Sequence, residues 1–175
     1  MTKKILLAYF SRKGKNYASK NNIVDLEVGN TEVIAQMIKS LTNCDLYKIE
    51  SLEEYPLEYS DCVRVAMKEL MSNARPQLKE SLTSIEEYDA IILGYPNWCG
   101  TIPMPVCTFL TSFDFSGKTI YPYCTNEGSG MGRSEKNISK LCPNSTIEVG
   151  LPIRGTLAPN SRPILEEWLY INKLM

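Results

Sequence analysis

Short runs of apolar residues alternate with longer segments of helical periodicity, and this alternation constrains the fold more than any other feature. Residues 5–10 and 89–94 contain almost no polar side chain that would mark a solvent-facing side of a strand. Strands that are apolar on both faces lie in parallel sheets that helices cover on both sides. The pattern therefore predicts an α/β fold with a doubly wound parallel sheet.

The predicted elements alternate along the whole chain. Strands are predicted over residues 5–10, 45–49, 89–94, 118–124 and 146–151. Helices are predicted over residues 33–41, 59–70, 103–110 and 134–141, and from Ser161 onward. The sequence has no internal repeat and no low-complexity linker, so a single domain over residues 1–175 is predicted.

The charges of the chain are nearly balanced. Lys and Arg total 19, Asp and Glu total 20, and the formal net charge is −1. No basic field attracts nucleic acid or an anionic membrane surface, so neither is expected as a partner. The apolar run after Lys4 is too short for a signal peptide, and no segment approaches the roughly 20 apolar residues of a membrane span. We therefore expect a cytoplasmic protein.

Histidine is absent, and the 6 cysteines include no Cys-x-x-Cys pair. A zinc-type ligand set is therefore not expected, and no metal site is predicted. The absence of histidine also excludes Ser-His-Asp and Cys-His catalysis. No catalytic acid, base or nucleophile is predicted.

The segment Gly29-Asn30-Thr31 opens an amphipathic helix and is predicted to bind an anion, most naturally a phosphate. Free backbone N–H groups, two polar side chains and the positive end of the helix dipole meet there. The first strand ends in Ser11-Arg12-Lys13-Gly14, which adds a hydroxyl group and two positive charges. These two segments are predicted to be the halves of one phosphate-binding loop, separated by an insertion at residues 15–28.

Three loops are predicted at the carboxyl ends of the strands, where ligands bind in a doubly wound sheet. The first loop joins residues 11–14 to residues 29–31, the second covers residues 95–101, and the third covers residues 125–133. All three are rich in glycine, small polar residues or aromatic residues. A ligand site is predicted where they meet.

These loops resemble the motifs of the flavodoxin family. The match consists of Tyr9-Phe10-Ser11 with Gly29-Asn30-Thr31, of Gly94-Tyr95-Pro96-Asn97-Trp98, and of Gly128-Ser129-Gly130 in the loop that begins at Thr125. The motifs follow the strands in the family's order, and the resemblance covers nearly the whole chain. It implies a five-stranded parallel sheet in the order 2-1-3-4-5, with FMN bound at the strand ends.

The resemblance also implies how each loop would bind FMN. The first loop would hold the phosphate. Independently of the resemblance, Arg12 or Lys13 would add charge there, although the family's phosphate loops are often neutral. Trp98 would stack on the isoalloxazine, Gly100 would permit a peptide flip toward flavin N5 on reduction, and residues 127–130 would line the pyrimidine side. The predicted cofactor-binding residues are Ser11, Arg12, Gly29, Asn30, Thr31, Pro96, Asn97, Trp98, Cys99, Gly100, Thr125, Glu127, Gly128, Ser129 and Gly130.

The chain departs from the family pattern in three ways. Ser11 and Thr31 are separated by 19 residues, and the insertion at residues 15–28 is predicted to be a short strand or flap near the phosphate. The third loop has no obvious aromatic residue for a second stacking contact. The net charge of −1 is less acidic than is usual for electron-carrier flavodoxins. This charge favours a flavin oxidoreductase, and the insertion offers a surface for a partner or for a weak dimer of an otherwise monomeric chain.

The predicted function is low-potential electron transfer through bound FMN, with a redox partner protein or NAD(P)H as the electron donor. The alternatives are an NAD(P)H-dependent FMN oxidoreductase of the quinone-reductase type and a non-catalytic interaction module of the same fold. A Rossmann domain would carry its glycine motif after the first strand, whereas residues 128–132 follow the fourth. Ser112 replaces the first glycine of a Walker A loop, and Pro96 replaces the aspartate of a phospho-acceptor domain.

Overall fold

The computed structural model describes residues 3–18 and 21–175, and most of its strands form one parallel sheet. The strands are β1 (Ile5–Tyr9), β2 (Gly14–Ala18), β3 (Asn22–Leu26), β4 (Asp45–Lys48), β5 (Ala90–Pro96), β6 (Thr119–Asn126), β7 (Thr146–Ile147) and β8 (Leu151–Arg154). The helices are α1 (Asn30–Leu41), α2 (Tyr59–Met71), α3 (Met104–Ser112), α4 (Ser134–Leu141), α5 (Arg162–Ile171) and a 3-10 helix (Gly155–Asn160). None of the helices in these residues is long and apolar enough to span a membrane.

The main sheet has the strand order β4-β1-β5-β6-β7, and all neighbouring strands are parallel. This is the predicted 2-1-3-4-5 order, so the predicted fold class is confirmed. The strand order reverses between β1 and β5, because β4 lies on one side of β1 and the later strands lie on the other. In such sheets the carboxyl ends of the strands at this switch point frame the ligand crevice.

The last strand of the sheet differs from its predicted form. The sequence predicts one strand over residues 146–151, but the structure has two short strands, β7 and β8, and both are parallel to β6. Between them the N–H of Gly150 donates to Glu135 Oε1 at 2.7 Å, which is a bond to a helix side chain and not to a strand. The break lets β8 pair with the last residues of β6 and lead directly into the 3-10 helix.

Helices cover both faces of the sheet, and each face has its own apolar cluster. Phe109 of α3 and Ile138 of α4 are fully buried on one face. Ile34 of α1 is fully buried on the other face, together with side chains of α5. Leu6 and Leu7, which are adjacent in β1, belong to different clusters because successive strand residues point to opposite faces. This double burial is the reason that the strands lack polar residues.

The insertion contains an antiparallel hairpin of β2 and β3, which is separate from the main sheet. Residues 19 and 20 of the predicted insertion lie outside the described residues. The hairpin pairs Gly14 with Leu26, so its first and last residues are neighbours. The predicted short strand or flap is therefore a two-stranded hairpin, and the two halves of the first loop remain adjacent across it.

Candidate functional site

A cavity of about 510 Å³ opens at the carboxyl ends of β1, β5 and β6. It lies at the switch point of the sheet, where the three predicted loops come together. All of the predicted site residues except the four glycines line it. The predicted residues in the lining are Ser11, Arg12, Asn30, Thr31, Pro96, Asn97, Trp98, Cys99, Thr125, Glu127 and Ser129.

The start of α1 gives one end of the cavity a set of hydrogen-bond donors. Ser11 Oγ accepts the N–H of Glu32 at 3.1 Å, which leaves the hydroxyl proton of Ser11 for another acceptor. The backbone N–H groups of Asn30 and Thr31 have no acceptor among the residues that the structure describes, and neither does the Asn30 amide. Unpaired N–H groups at a helix start, together with the helix dipole, attract an anion.

Thr31 and Thr125 connect the first loop to the third. Their hydroxyl groups lie 2.7 Å apart, and both side chains are buried. The carbonyl oxygen of Thr31 accepts the hydroxyl of Tyr123 at 3.0 Å, and Tyr123 is completely buried under the helix start. The position of the α1 start is therefore determined by contacts with β6 as well as with β1.

Gly29 does not line the cavity, and the structure gives it another role. Its φ of −65° is open to any residue, so its backbone conformation does not require glycine. A Cβ at this position would overlap Ser11 Oγ and would lie 2.5 Å from the carbonyl oxygen of Arg12. The absence of a side chain lets the first loop approach the helix start closely enough for Ser11 to cap it.

Arg12 is buried at the wall of the cavity, where its guanidinium binds backbone carbonyl groups. Its Nη2 donates to Pro56 O at 2.6 Å and to Leu57 O at 2.7 Å, its Nε donates to Pro56 O at 3.1 Å, and its Nη1 donates to Lys15 O at 2.7 Å. Four of the five N–H donors are thus engaged. The geometry makes Arg12 a clamp between the hairpin and the segment before α2, and it leaves one N–H for the predicted phosphate contact.

Asn97 connects the second loop to the third and has one open acceptor. Its Nδ2 donates to Ser129 Oγ at 3.0 Å and to Gly130 O at 2.9 Å. Its Oδ1 is buried and has no partner within the described part of the chain. A buried acceptor without a donor is rare in native proteins and indicates a missing partner, such as an N–H of a ligand.

The glycines of the third loop are expected to line the site, but in the structure they shape the turn and are not in the cavity lining. Gly128 and Gly130 have φ values of 116° and 62°, which L side chains rarely adopt. Their N–H groups donate to Asn126 Oδ1 at 2.9 and 3.0 Å. Asn126, which the sequence reasoning missed, is therefore the residue around which this loop folds, and it also lines the cavity.

Glu127 lines the cavity, but its carboxylate is engaged elsewhere. Oε1 accepts the N–H of Thr156 at 2.8 Å, and Oε2 lies 3.3 Å from the Thr156 hydroxyl. These bonds attach the third loop to the first turn of the 3-10 helix. A Cβ on Gly155 would lie 3.0 Å from Glu127 Oε1 and would overlap the Asn30 amide. The close packing of these three residues forms the polar end of the cavity.

Trp98 lines the cavity and is held by two aromatic rings. The Phe10 ring lies 5.1 Å away at an interplanar angle of 84°, and the Tyr55 ring lies 4.9 Å away at 79°. Edge-to-face pairs of this kind restrict the indole to one orientation. The stacking role that the resemblance implies for Trp98 stays a prediction.

Cys99 and Gly100 form a two-residue turn between Trp98 and Thr101, which exchange two backbone hydrogen bonds of 3.0 Å. Their φ values of 54° and 78° are the positive pair of a type I′ turn. The carbonyl of Gly100 accepts the N–H of Arg133 at 2.8 Å, so the predicted flip concerns the Cys99 carbonyl, which has no backbone partner in the described part. Partial burial raises the pKa of the Cys99 thiol, which keeps it protonated and poorly nucleophilic at neutral pH.

One wall of the cavity comes from α2 and the hairpin, and the sequence reasoning missed it. The apolar residues of α2 at helical spacing line this cavity, apart from Leu70, which packs against the core. Tyr17 of β2 joins them, with its ring 6.1 Å from that of Tyr59. The additional lining residues are Asn16, Tyr17, Tyr59, Cys62, Val63, Ala66, Met67, Asn126 and Gly155. The helical spacing of the α2 residues was the available signal, but spacing does not say what an apolar face contacts.

The flavodoxin family model matches residues 4–171 of the chain. A search of curated proteins gave no match.

Among residues 3–18 and 21–175 no group of three or more His, Cys, Asp or Glu side chains is placed to hold a metal ion.

Solved structures with the same fold cover nearly the whole chain. A proposed flavoprotein of Bacteroides uniformis has 27% identity and a TM-score of 0.75, over 97% of this chain and 99% of its own. A proposed flavoprotein of Bacteroides eggerthii has 26% identity and a TM-score of 0.77, over 99% and 100%. A flavoprotein of Lactobacillus acidophilus, solved in complex with FMN, has 15% identity and a TM-score of 0.63, over 91% and 98%, and shows a similar fold. The chain belongs to the flavodoxin family, and this membership confirms the prediction that its cofactor is FMN.

Proposed function

We propose that this protein transfers electrons at low potential through FMN held in the cavity at the sheet's carboxyl edge. The observation that carries the proposal is the start of α1. Two backbone N–H groups that have no acceptor in the described part of the chain converge there with the Asn30 amide and the Ser11 hydroxyl. Such an arrangement binds a phosphate without a dedicated cation. The likeness to the two Bacteroides structures described as flavoproteins supports it.

The residues of the cavity fit FMN at both ends. Gly155 lines the polar end, where a Cβ would overlap the Asn30 amide. Asn97 Oδ1 is the acceptor that an N–H on the pyrimidine edge of the flavin would satisfy. The volume of about 510 Å³ lies within the range of about 300–1,000 Å³ that is usual for small-molecule sites.

Bound FMN would supply the redox chemistry, since its ring accepts and releases electrons. The chain's own residues bind and orient it. Asn30 and the N–H groups of the α1 start would hold the phosphate, and Asn97 would position the pyrimidine edge. Trp98, fixed by Phe10 and Tyr55, would cover the ring with an apolar surface that excludes water.

We expect Asn30→Ala to weaken FMN binding about 10- to 100-fold, because one hydrogen bond to a charged phosphate contributes about 1.5–3 kcal/mol. Riboflavin, which lacks the phosphate, should bind the variant and the parent protein within about twofold of each other. Titration of the cofactor-free protein with each ligand, followed by flavin fluorescence, measures both constants. Asn144→Ala, at an exposed position outside the cavity, is the matched control. An equal loss for both ligands would contradict the phosphate assignment.

A second candidate is an FMN oxidoreductase that exchanges electrons with a small molecule instead of a partner protein. It is favoured by the charge of the chain, whose net value of −1 provides no strongly acidic field for docking a basic partner. Anaerobic mixing of the FMN-loaded protein with NADH or NADPH separates the candidates. If the oxidoreductase assignment is correct, the absorbance of the oxidised flavin near its visible maximum is lost within seconds. Reduction by a partner protein alone would support the carrier.

A further inference from the structure

Four apolar side chains form a concave surface on one wall of the cavity, which we call the aromatic shelf. They are Tyr17, Tyr59, Val63 and Met67, with exposed fractions of 37, 36, 38 and 48%. Contiguous apolar surface that is open to water and rimmed by polar residues often marks a binding site. The shelf lines the same cavity as Trp98 but comes from other elements, so it extends the site beyond the phosphate and the three loops.

The shelf is held in place by polar contacts on its outer side. The Tyr17 hydroxyl donates to Asn21 Oδ1 at 2.9 Å. Arg12 binds the carbonyl groups of Lys15 and Leu57, which flank the two tyrosines in the chain. The rings of Tyr17 and Tyr59 are inclined by only 32°. The hairpin and α2 therefore form one surface, which is already in place before a ligand binds.

The four side chains of the aromatic shelf are all uncharged. Arg12 and Glu127 are the charged residues in its lining. The guanidinium of Arg12 binds backbone carbonyls, and the carboxylate of Glu127 binds Thr156. Ligands with several phosphates are recognised by cations or by unpaired N–H groups, and the shelf has neither. Tyrosine rings and a methionine thioether instead favour contact with an uncharged aromatic ring.

We infer that the aromatic shelf binds an uncharged, planar aromatic molecule as the second reactant of this flavoprotein. The inference rests on the proposed FMN site and on the second candidate function, in which a small molecule exchanges electrons with the flavin. It assigns the FMN to the polar end of the cavity and the second reactant to the apolar wall. It also gives the insertion a role, since Tyr17 lies in the hairpin that the insertion adds.

The test compares two probes that share one ring system and differ in charge, 2-methyl-1,4-naphthoquinone and 1,4-naphthoquinone-2-sulfonate. Equilibrium dialysis against the oxidised, FMN-loaded protein measures binding without turnover. We expect the neutral quinone to bind the parent protein about tenfold more tightly than the sulfonate. Met67→Lys should weaken the neutral probe about tenfold and strengthen the sulfonate, because it replaces apolar contact by a positive charge.

Met71→Lys is the matched control, since Met71 lies one turn further along α2, is 83% exposed and does not line the cavity. It should leave both affinities unchanged. Equal binding of the two probes to the parent protein, or equal effects of the two lysine variants, would overturn the inference. So would a Met67→Lys protein that loses FMN affinity but keeps its quinone affinity, because the wall would then hold the cofactor.

The failure of the proposed function gives a different result. It would appear in the FMN titration of the parent protein and not in the ratio of the two probes. A second copy of the chain is the other possible occupant of the shelf, and sedimentation at increasing protein concentration tests for it. Self-association that Met67→Lys abolishes, without quinone binding to the parent protein, would assign the shelf to that copy and reject the small molecule.

Discussion

Gly29→Ala should reduce FMN affinity about 100-fold, which corresponds to the loss of two hydrogen bonds to a charged phosphate. The added methyl group would overlap Ser11 Oγ and would lie 2.5 Å from the carbonyl oxygen of Arg12, so the first loop must move away from the helix start. That movement breaks the bond from the Glu32 N–H to Ser11 Oγ and displaces the phosphate-binding groups. Overpacking of this kind should also lower the free energy of unfolding by about 1–3 kcal/mol.

Gly150→Ala is the matched control for this substitution. A Cβ on Gly150 would also overlap a neighbour, but the neighbour is the methyl end of the Met131 side chain, which can turn away. We therefore expect Gly150→Ala to retain FMN affinity within about twofold. Isothermal titration with FMN and urea unfolding of the cofactor-free proteins measure the two effects separately. Unchanged FMN affinity in Gly29→Ala would show that the loop tolerates the methyl group and that close approach is not required.

The topology, and the helix start at one end of the cavity, could be predicted because their signals are local. The apolar runs of β1 and β5 mark strands that are buried on both faces, and this burial requires a parallel sheet. Gly29-Asn30-Thr31 marks a helix start, and a helix start provides unpaired N–H groups whatever lies around it. Loops that follow neighbouring parallel strands must meet at one edge. These arguments need no knowledge of distant contacts.

The apolar wall could not be predicted because its signal is ambiguous. The spacing of Tyr59, Val63 and Met67 predicts a helix with an apolar face, and such a face usually packs against the core. Here the hairpin stands beside α2, and the face lines the cavity instead. Nothing in the local sequence distinguishes these outcomes, since the choice depends on where the inserted hairpin packs.

The roles of Arg12 and Asn126 were missed for a related reason. An arginine next to a phosphate loop suggests an anion contact, but its observed partners include carbonyl groups 44 and 45 residues away in the chain. Asn126 binds two N–H groups of its own loop, a pattern that only the folded turn reveals. These partners are backbone atoms, and since nearly every residue has the same backbone atoms, the sequence does not indicate which of them a side chain will bind.

Arg12→Met should lower the free energy of unfolding by about 2–4 kcal/mol, because three carbonyl oxygens lose buried donors. It should weaken FMN and riboflavin binding by equal factors, since the clamp orders the cavity wall and not the phosphate end. Hydrogen exchange at Lys15, whose N–H donates to Leu57 O at 2.9 Å, should become faster, whereas the amides of α5 keep their protection under native conditions.

Arg12→Lys separates the clamp from a phosphate contact. Lysine keeps the positive charge but has one ammonium group, which cannot bridge the carbonyl groups of Lys15, Pro56 and Leu57 as the planar fork does. If Arg12 acts as a clamp, the lysine variant is nearly as unstable as the methionine variant, and both ligands lose affinity together. A different result would show that Arg12 contacts the phosphate: the lysine variant keeps normal FMN affinity, and the methionine variant loses affinity for FMN but not for riboflavin.

Arg162→Met is the control, since it removes an arginine from an exposed pair with Glu166 and should change stability by no more than about 1 kcal/mol. The contrast between these arginines tests burial and fork geometry, since all three variants alter the same kind of side chain.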